Sequence, residues 1–107
     1  MVENERLKIK AKFFRGFANA TRLAILECLR EGERTVTEIV QETGQTQSNV
    51  SNHLSCLLEC GLVMNRREGK HIHYSIRHAK VKSLLKNGDI VLSEVCKEIF
   101  ECARYNQ

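Results

Sequence analysis

At 107 residues, 42% hydrophobic and 28% charged, the chain has the length and composition of one soluble globular domain, which excludes a disordered or membrane-spanning chain. Its longest apolar runs, such as LAIL at 23–26, fall far short of the roughly 20 residues that cross a bilayer. The charged N-terminal stretch lacks the apolar core of a secretory signal, so a cytoplasmic location and no membrane partner are expected. A net charge of +4 gives a mild bias toward polyanions. Five cysteines, at positions 28, 56, 60, 96 and 102, are an odd count, and in a reducing compartment they read as buried, metal-binding or redox thiols rather than a disulfide frame.

With no proline in the chain, glycine is the main punctuation. Residues 4–17 place Leu7, Ile9, Phe13, Phe14 and Phe17 among lysines and arginines, a first helix with a broad apolar stripe. Asn19 is a cap for a second helix carrying Leu23, Leu26 and Leu29 and stopped by Gly32, with Cys28 beside the stripe as a small buried residue. Thr35 or Thr37 then caps a short helix with Val36, Ile39 and Val40 that ends at Gly44. Thr46 or Ser48 caps the next, which runs to Gly61 with Val50, Leu54, Leu57 and Leu58 at i, i+4, i+7, i+8. Two helices across a short glycine turn make a helix-turn-helix over about residues 36–61. Val63, Ile72, Tyr74 and Ile76 fit two period-two strands with RREGK as a charged tip, a wing over about residues 62–77. Residues 79–104 return to helical spacing with Val81, Leu84, Leu85, Ile90, Val91, Leu92, Val95, Ile99 and Phe100, and Gly88 is expected to bend or divide this helix.

The expected fold is therefore a single domain over residues 1–107, mainly α with a small β-hairpin wing: a winged helix-turn-helix. An apolar tail in a domain whose core is already supplied is expected to pack against a second copy, through helices at about 4–17 and 79–104.

In such a fold the N-terminal turn of the second helix of the motif enters the major groove. Gln47, Ser48, Ser51, Asn52 and His53 would meet base edges and phosphates, and Arg66, Arg67 and Lys70 at the wing would add phosphate or minor-groove contacts. His71 and His73 share a strand face and read more simply as exposed wing residues than as a metal pair. No serine, histidine and acid arrangement or phosphate-cradling glycine loop argues for an enzyme. On a helix turning about 100° per residue, with Val50 at zero, the apolar face centres near 30° while Cys56 and Cys60 fall near 240° and 280°. The two thiols point away from the core, share a stripe with Asn49 and His53, and lie close enough to hold one ion. They need a third donor, for which Cys96, Cys102 and His53 stand open. Cys96 and Cys102 lie about 240° apart around a helix and cannot both face one ion.

The strings ANATRLAILECLREGERTVTEIV, TQSNVSNHLSCLLECGLV and EGKHIHYSI resemble the ArsR/SmtB family of metal-responsive bacterial repressors over roughly residues 6–100. The family's cadmium and lead sensors are most similar, since they too carry cysteines four apart in this helix. One departure is NATR, where relatives have an aspartate-proline pair before the threonine and arginine. The resemblance implies a homodimer that sits on palindromic double-stranded operator DNA when metal-free and leaves it when metal binds. It also favours Cys102 over Cys96 as the third ligand, supplied by the other subunit. Two further metal sites of the family are not expected, because DIVLSEVCKEIFECARY has no histidine and TVTEIVQET no cysteine. Trigonal thiolate sites suit cadmium, lead or trivalent arsenic. The alternatives are an arsenite-responsive or thiol-redox-responsive repressor of the same fold, or a winged helix that binds a protein.

Overall fold

A computed structural model describes the backbone of residues 2–105 and the side chains of residues 2–97. The elements run α1 (Glu3–Arg15), α2 (Ala20–Arg30), β1 (Arg34–Thr35), α3 (Val36–Thr43), α4 (Gln47–Glu59), β2 (Val63–Glu68), β3 (His71–Ile76) and α5 (Ala79–Tyr105).

Helices α2, α3 and α4 each begin where a side-chain oxygen meets an otherwise unpaired N–H. Asn19 accepts from the Arg22 N–H at 3.1 Å and Thr46 from the Asn49 N–H at 3.2 Å. Thr35 accepts from the Glu38 N–H while Glu38 accepts from the Thr35 N–H at 2.9 Å, a closed capping box. Thr37 and Ser48, the other sequence options, already lie inside the first turns. Gly44 ends α3 in the left-handed region, φ 72°, which side chains rarely adopt.

The core is Ile25, Leu26 and Leu29 of α2, Ile39 of α3, Val50, Leu54 and Leu57 of α4, then Leu62, Val63, Ile76, Val81 and Leu85. Leu23, which spacing puts on the α2 stripe, is exposed, and Ile25 takes the inward place. The sheet has the order β1-β3-β2, all antiparallel, with Thr35 opposite His73 and His73 opposite Arg66. The hairpin matches the expected wing. Strand β1 is an addition to it, since two residues are too few to show alternation.

One other expectation changes. Helix α5 runs through Gly88 without a break. A glycine in an exposed helix costs only about 1 kcal/mol, which flanking helix formers absorb. Helix α1 buries no residue completely; Phe13, and Phe17 just beyond its end, pack on the core rim. The radius of gyration is 16.2 Å, against about 13 Å for a compact chain of this length. The excess comes from apolar elements that stand uncovered: Leu7, Ile9 and Phe14 on α1, and Leu84, Ile90, Val91, Leu92 and Val95 on α5, are all exposed.

The end of α1 is nevertheless seated tightly. A Cβ on Gly16 would overlap Leu62 Cδ1 and lie 3.3 Å from the Phe13 carbonyl oxygen. Leu62 is fully buried, so moving its Cδ1 aside means displacing core neighbours. Gly16→Ala is therefore expected to destabilise the fold by about 1–3 kcal/mol despite helical backbone angles. An unchanged urea midpoint would show that Leu62 repacks freely.

Candidate DNA-reading helix and thiol pair

Helix α4 separates into strips. Val50, Leu54 and Leu57 are buried against α2 and α3, while Gln47, Ser48, Ser51 and Asn52 are exposed around its N-terminal half. Asn49 is tied back to the preceding loop, its Nδ2 donating to Gln45 Oε1 at 2.9 Å. Ser55, also exposed, extends the outer strip beyond the residues that the motif marks.

His53 differs from its neighbours. It is half-buried, and its Nδ1 lies 3.4 Å from Arg22 Nη1. Arg22 also donates from Nη2 to the Arg15 carbonyl at 2.8 Å and from Nε to the Gly16 carbonyl at 3.3 Å. One guanidinium thus joins the end of α1 to the middle of α4. Nothing in the sequence marks this contact, because its partners stand 31 residues apart.

Cys56 lies in the last turn of α4, and Cys60 is the first residue beyond its end, with its N–H donating to the Cys56 carbonyl at 2.9 Å. Both thiols are free and half-buried. Cys60 does not stand clear of the core as helical projection implies: its backbone is still helical and its N–H continues the helical ladder, yet its side chain packs on the core rim. Burial raises the Cys60 thiol pKa, and the neighbouring Cys56 adds to this by charge and hydrogen bond, while Lys12 and Arg22 oppose it. The two sulfurs therefore share one environment, with cationic groups nearby. Among the described residues no group of three potential metal ligands gathers. Cys96 is half-buried on α5, and the side chain of Cys102 lies outside the described residues.

On the wing, Arg67 and Lys70 are exposed. Arg66 is held between two carboxylates, its Nε donating to Glu33 at 2.9 Å and its Nη1 to Glu68 at 2.8 Å. His71 is exposed and His73 is turned toward these carboxylates.

Cys28 is half-exposed rather than buried. Its Sγ donates to Glu42 Oε2 at 2.7 Å, and the other Glu42 oxygen accepts from Arg34 Nε at 2.9 Å. Burial, then the bond to the Glu42 carboxylate, pushes the Cys28 thiol up to about 12. Near pH 8 its thiolate fraction is about 1000-fold below that of an ordinary thiol, and the thiolate is the reacting form. Iodoacetamide labelling followed by peptide mass spectrometry should find Cys28 more than about 100-fold slower in the folded chain than in urea. Glu42→Gln should speed it, and equal folded and unfolded rates would contradict the assignment.

Residues 19–64 match the family described as "Bacterial regulatory protein, arsR family". The "Uncharacterized HTH-type transcriptional regulator Rv0081" of Mycobacterium tuberculosis is 37% identical over 99 residues, 91% of this chain and 87% of that protein. The chain belongs to the arsR family. The crystal structure of Rv0081 superposes with a TM-score of 0.80 at 36% identity, covering 88% of this chain and 95% of that one. A "Probable mercury resistance operon repressor" of Streptomyces lividans is 47% identical over 75 residues, 70% of this chain, which spans only 60% of that protein's length. The regulator CmtR of M. tuberculosis is 38% identical over 81 residues, 76% of this chain and 67% of that protein. A solution structure of Mb0332 from Mycobacterium bovis, described as a homodimeric winged helix-turn-helix DNA-binding domain, gives a TM-score of 0.81 at 32% identity, covering 92% and 93% of the two chains. The fold is thus the winged helix-turn-helix, with α3 and α4 as the motif and β2 and β3 as the wing. The arsR family consists of DNA-binding transcriptional regulators and not of enzymes. Among the described residues no helix is long and apolar enough to cross a membrane.

Proposed function

We propose that this arsR-family chain is a metal-responsive repressor that binds operator DNA as a homodimer when metal-free and releases it when a soft thiophilic ion is captured by Cys56 and Cys60. The observation that carries the reading is the thiol pair at the end of the DNA-reading helix, with no third donor gathered beside it among the described residues. Two thiolates alone hold a soft ion poorly against competing cellular thiols. The third is supplied by Cys102 of the partner subunit, with Cys96 as the alternative. Thiolates bind such ions only when deprotonated, and three of them suit cadmium or lead, with trivalent arsenic as a further fit. The mercury-resistance repressor among the relatives supports a soft metal as effector.

Dimerisation is supported by the apolar side chains left uncovered on α1 and α5 and by the homodimeric relative. In the dimer the two α4 helices enter successive major grooves about 34 Å apart. Gln47, Ser48, Ser51 and Asn52 read base edges there, His53 flanks them, and Arg67 and Lys70 meet phosphate. Drawing α4 toward the partner's tail changes the spacing of the two helices and weakens DNA binding. By linkage, DNA weakens metal binding by the same factor, typically about 5- to 150-fold.

The test is an anaerobic titration with cadmium or lead, following thiolate-to-metal absorption and release of a duplex chosen by the protein from a randomised pool. Absorption saturating at one ion per subunit together with duplex release supports the reading. Absence of absorption, with release by peroxide instead, overturns it in favour of thiol oxidation.

A further inference from the structure

We infer that Arg66 is a positioning residue, which with Glu33 and Glu68 fixes the angle of the wing against the helix-turn-helix, and is not one of the wing's phosphate contacts. The placement follows from strand geometry. Successive side chains alternate across a sheet, and residues directly opposite on paired strands share a face. Thr35, His73 and Arg66 are opposite one another across the three strands. Glu33, two before Thr35, and Glu68, two after Arg66, fall on that same face. Tyr74 packs against the core and Ile76 lies in it, so this row faces outward.

The contacts match that geometry. Arg66 donates to both Glu33 oxygens and to Glu68. His73 lies between the acids, its Nδ1 3.6 Å from Glu33 and its Nε2 3.7 Å from Glu68. The Arg66 hydrogen bonds hold both carboxyls below the usual carboxylate range. A lone surface ion pair contributes little, but here one guanidinium, bidentate on Glu33, serves two acids, one paired in the hairpin and the other just ahead of β1.

The direction of the connection matters. Glu33 leads directly into β1, whose Thr35 is also the N-cap of α3. Arg66 therefore links the wing to the residue pair from which the first helix of the DNA-binding motif starts. Two carboxylates already occupy the guanidinium face that a phosphate would take, so among the described residues the wing cations left without an acid partner are Arg67 and Lys70.

The inference rests on DNA binding by the wing, and the experiment separates the two. A duplex selected by the wild-type protein from a randomised pool is titrated at several salt concentrations. If the wild type binds no duplex, the DNA-binding reading fails. If it binds, Arg67→Ala and Lys70→Ala should each lower the log–log salt slope by about 0.9 for every phosphate they cease to neutralise, whereas Arg66→Gln should weaken binding and leave the slope unchanged. Glu33→Arg adds positive charge yet should weaken binding about 3- to 10-fold, and Glu33→Arg/Arg66→Glu should recover the wild-type affinity to within about 3-fold, because it rebuilds the pair. Arg66→Gln lowering the slope as Arg67→Ala does, or no recovery in a folded double variant, overturns the inference. Circular dichroism checks folding, and if the double variant does not fold, the slope of Arg66→Gln decides alone.

Discussion

Cys56→Ser and Cys60→Ser are each expected to bind the selected duplex like the wild type and to lose its release by cadmium or lead. Serine keeps nearly the shape of cysteine, and both positions are half-buried rather than in the core, so stability should change by less than about 1 kcal/mol. The exposed strip of Gln47, Ser48, Ser51 and Asn52, proposed to read DNA, occupies a different part of α4 and is untouched. A hydroxyl is a poor ligand for a soft ion at neutral pH, so losing one of the three proposed thiolates should remove capture and with it a metal effect of about 5- to 150-fold on affinity. The pH dependence has a definite sign. Because burial and Cys56 raise the Cys60 thiol pKa, its proton must be displaced on capture. Metal affinity should therefore rise with pH, by about tenfold per unit for each thiol proton displaced, and level off only above that raised pKa. Equal release by cadmium from Cys56→Ser and wild type would move the site away from α4. Cys96→Ser and Cys102→Ser, compared in the same assay, assign the third ligand.

The parts of this picture that can be read from the chain are those set by local chemistry. Asn19, Thr35 and Thr46 are short polar side chains placed three residues before an N–H in need of a partner, and that need exists before any tertiary contact. The apolar spacing of Val50, Leu54 and Leu57 and the alternation in β3 likewise reflect one element meeting one core. What escapes depends on pairing across the fold. Strand β1 is too short to alternate and exists only because β3 offers it an edge. Arg66 reads as a free cation until strand register sets Glu33 beside it, 33 residues away. Projection of α4 alone turns Cys60 away from the core, yet in the fold its side chain packs on the core rim at the end of the helix. For the same reason Arg22 passes as an ordinary helix residue, although it joins α1 to His53.

Leu54→Ala is expected to produce a large loss of stability. Leu54 is 1% exposed, on the buried side of α4, in the cluster with Val50, Leu57, Ile25 and Ile39. Truncation removes transfer free energy and leaves a cavity that surrounding branched side chains fill only in part, at a cost of about 2–5 kcal/mol. A domain of this size has about 5–15 kcal/mol in all, so Tm should fall on the order of 10–30 °C. Because the proposed dimer would add a concentration-dependent share, the melts must use one protein concentration. Asn52→Ala, two residues earlier on the exposed side, should leave Tm nearly unchanged while costing about 1–3 kcal/mol in duplex binding. The pair separates the two faces of one helix: one variant loses the scaffold, the other its hold on the bases. If Asn52→Ala melted like Leu54→Ala, α4 would be buried on both sides and unable to enter a groove.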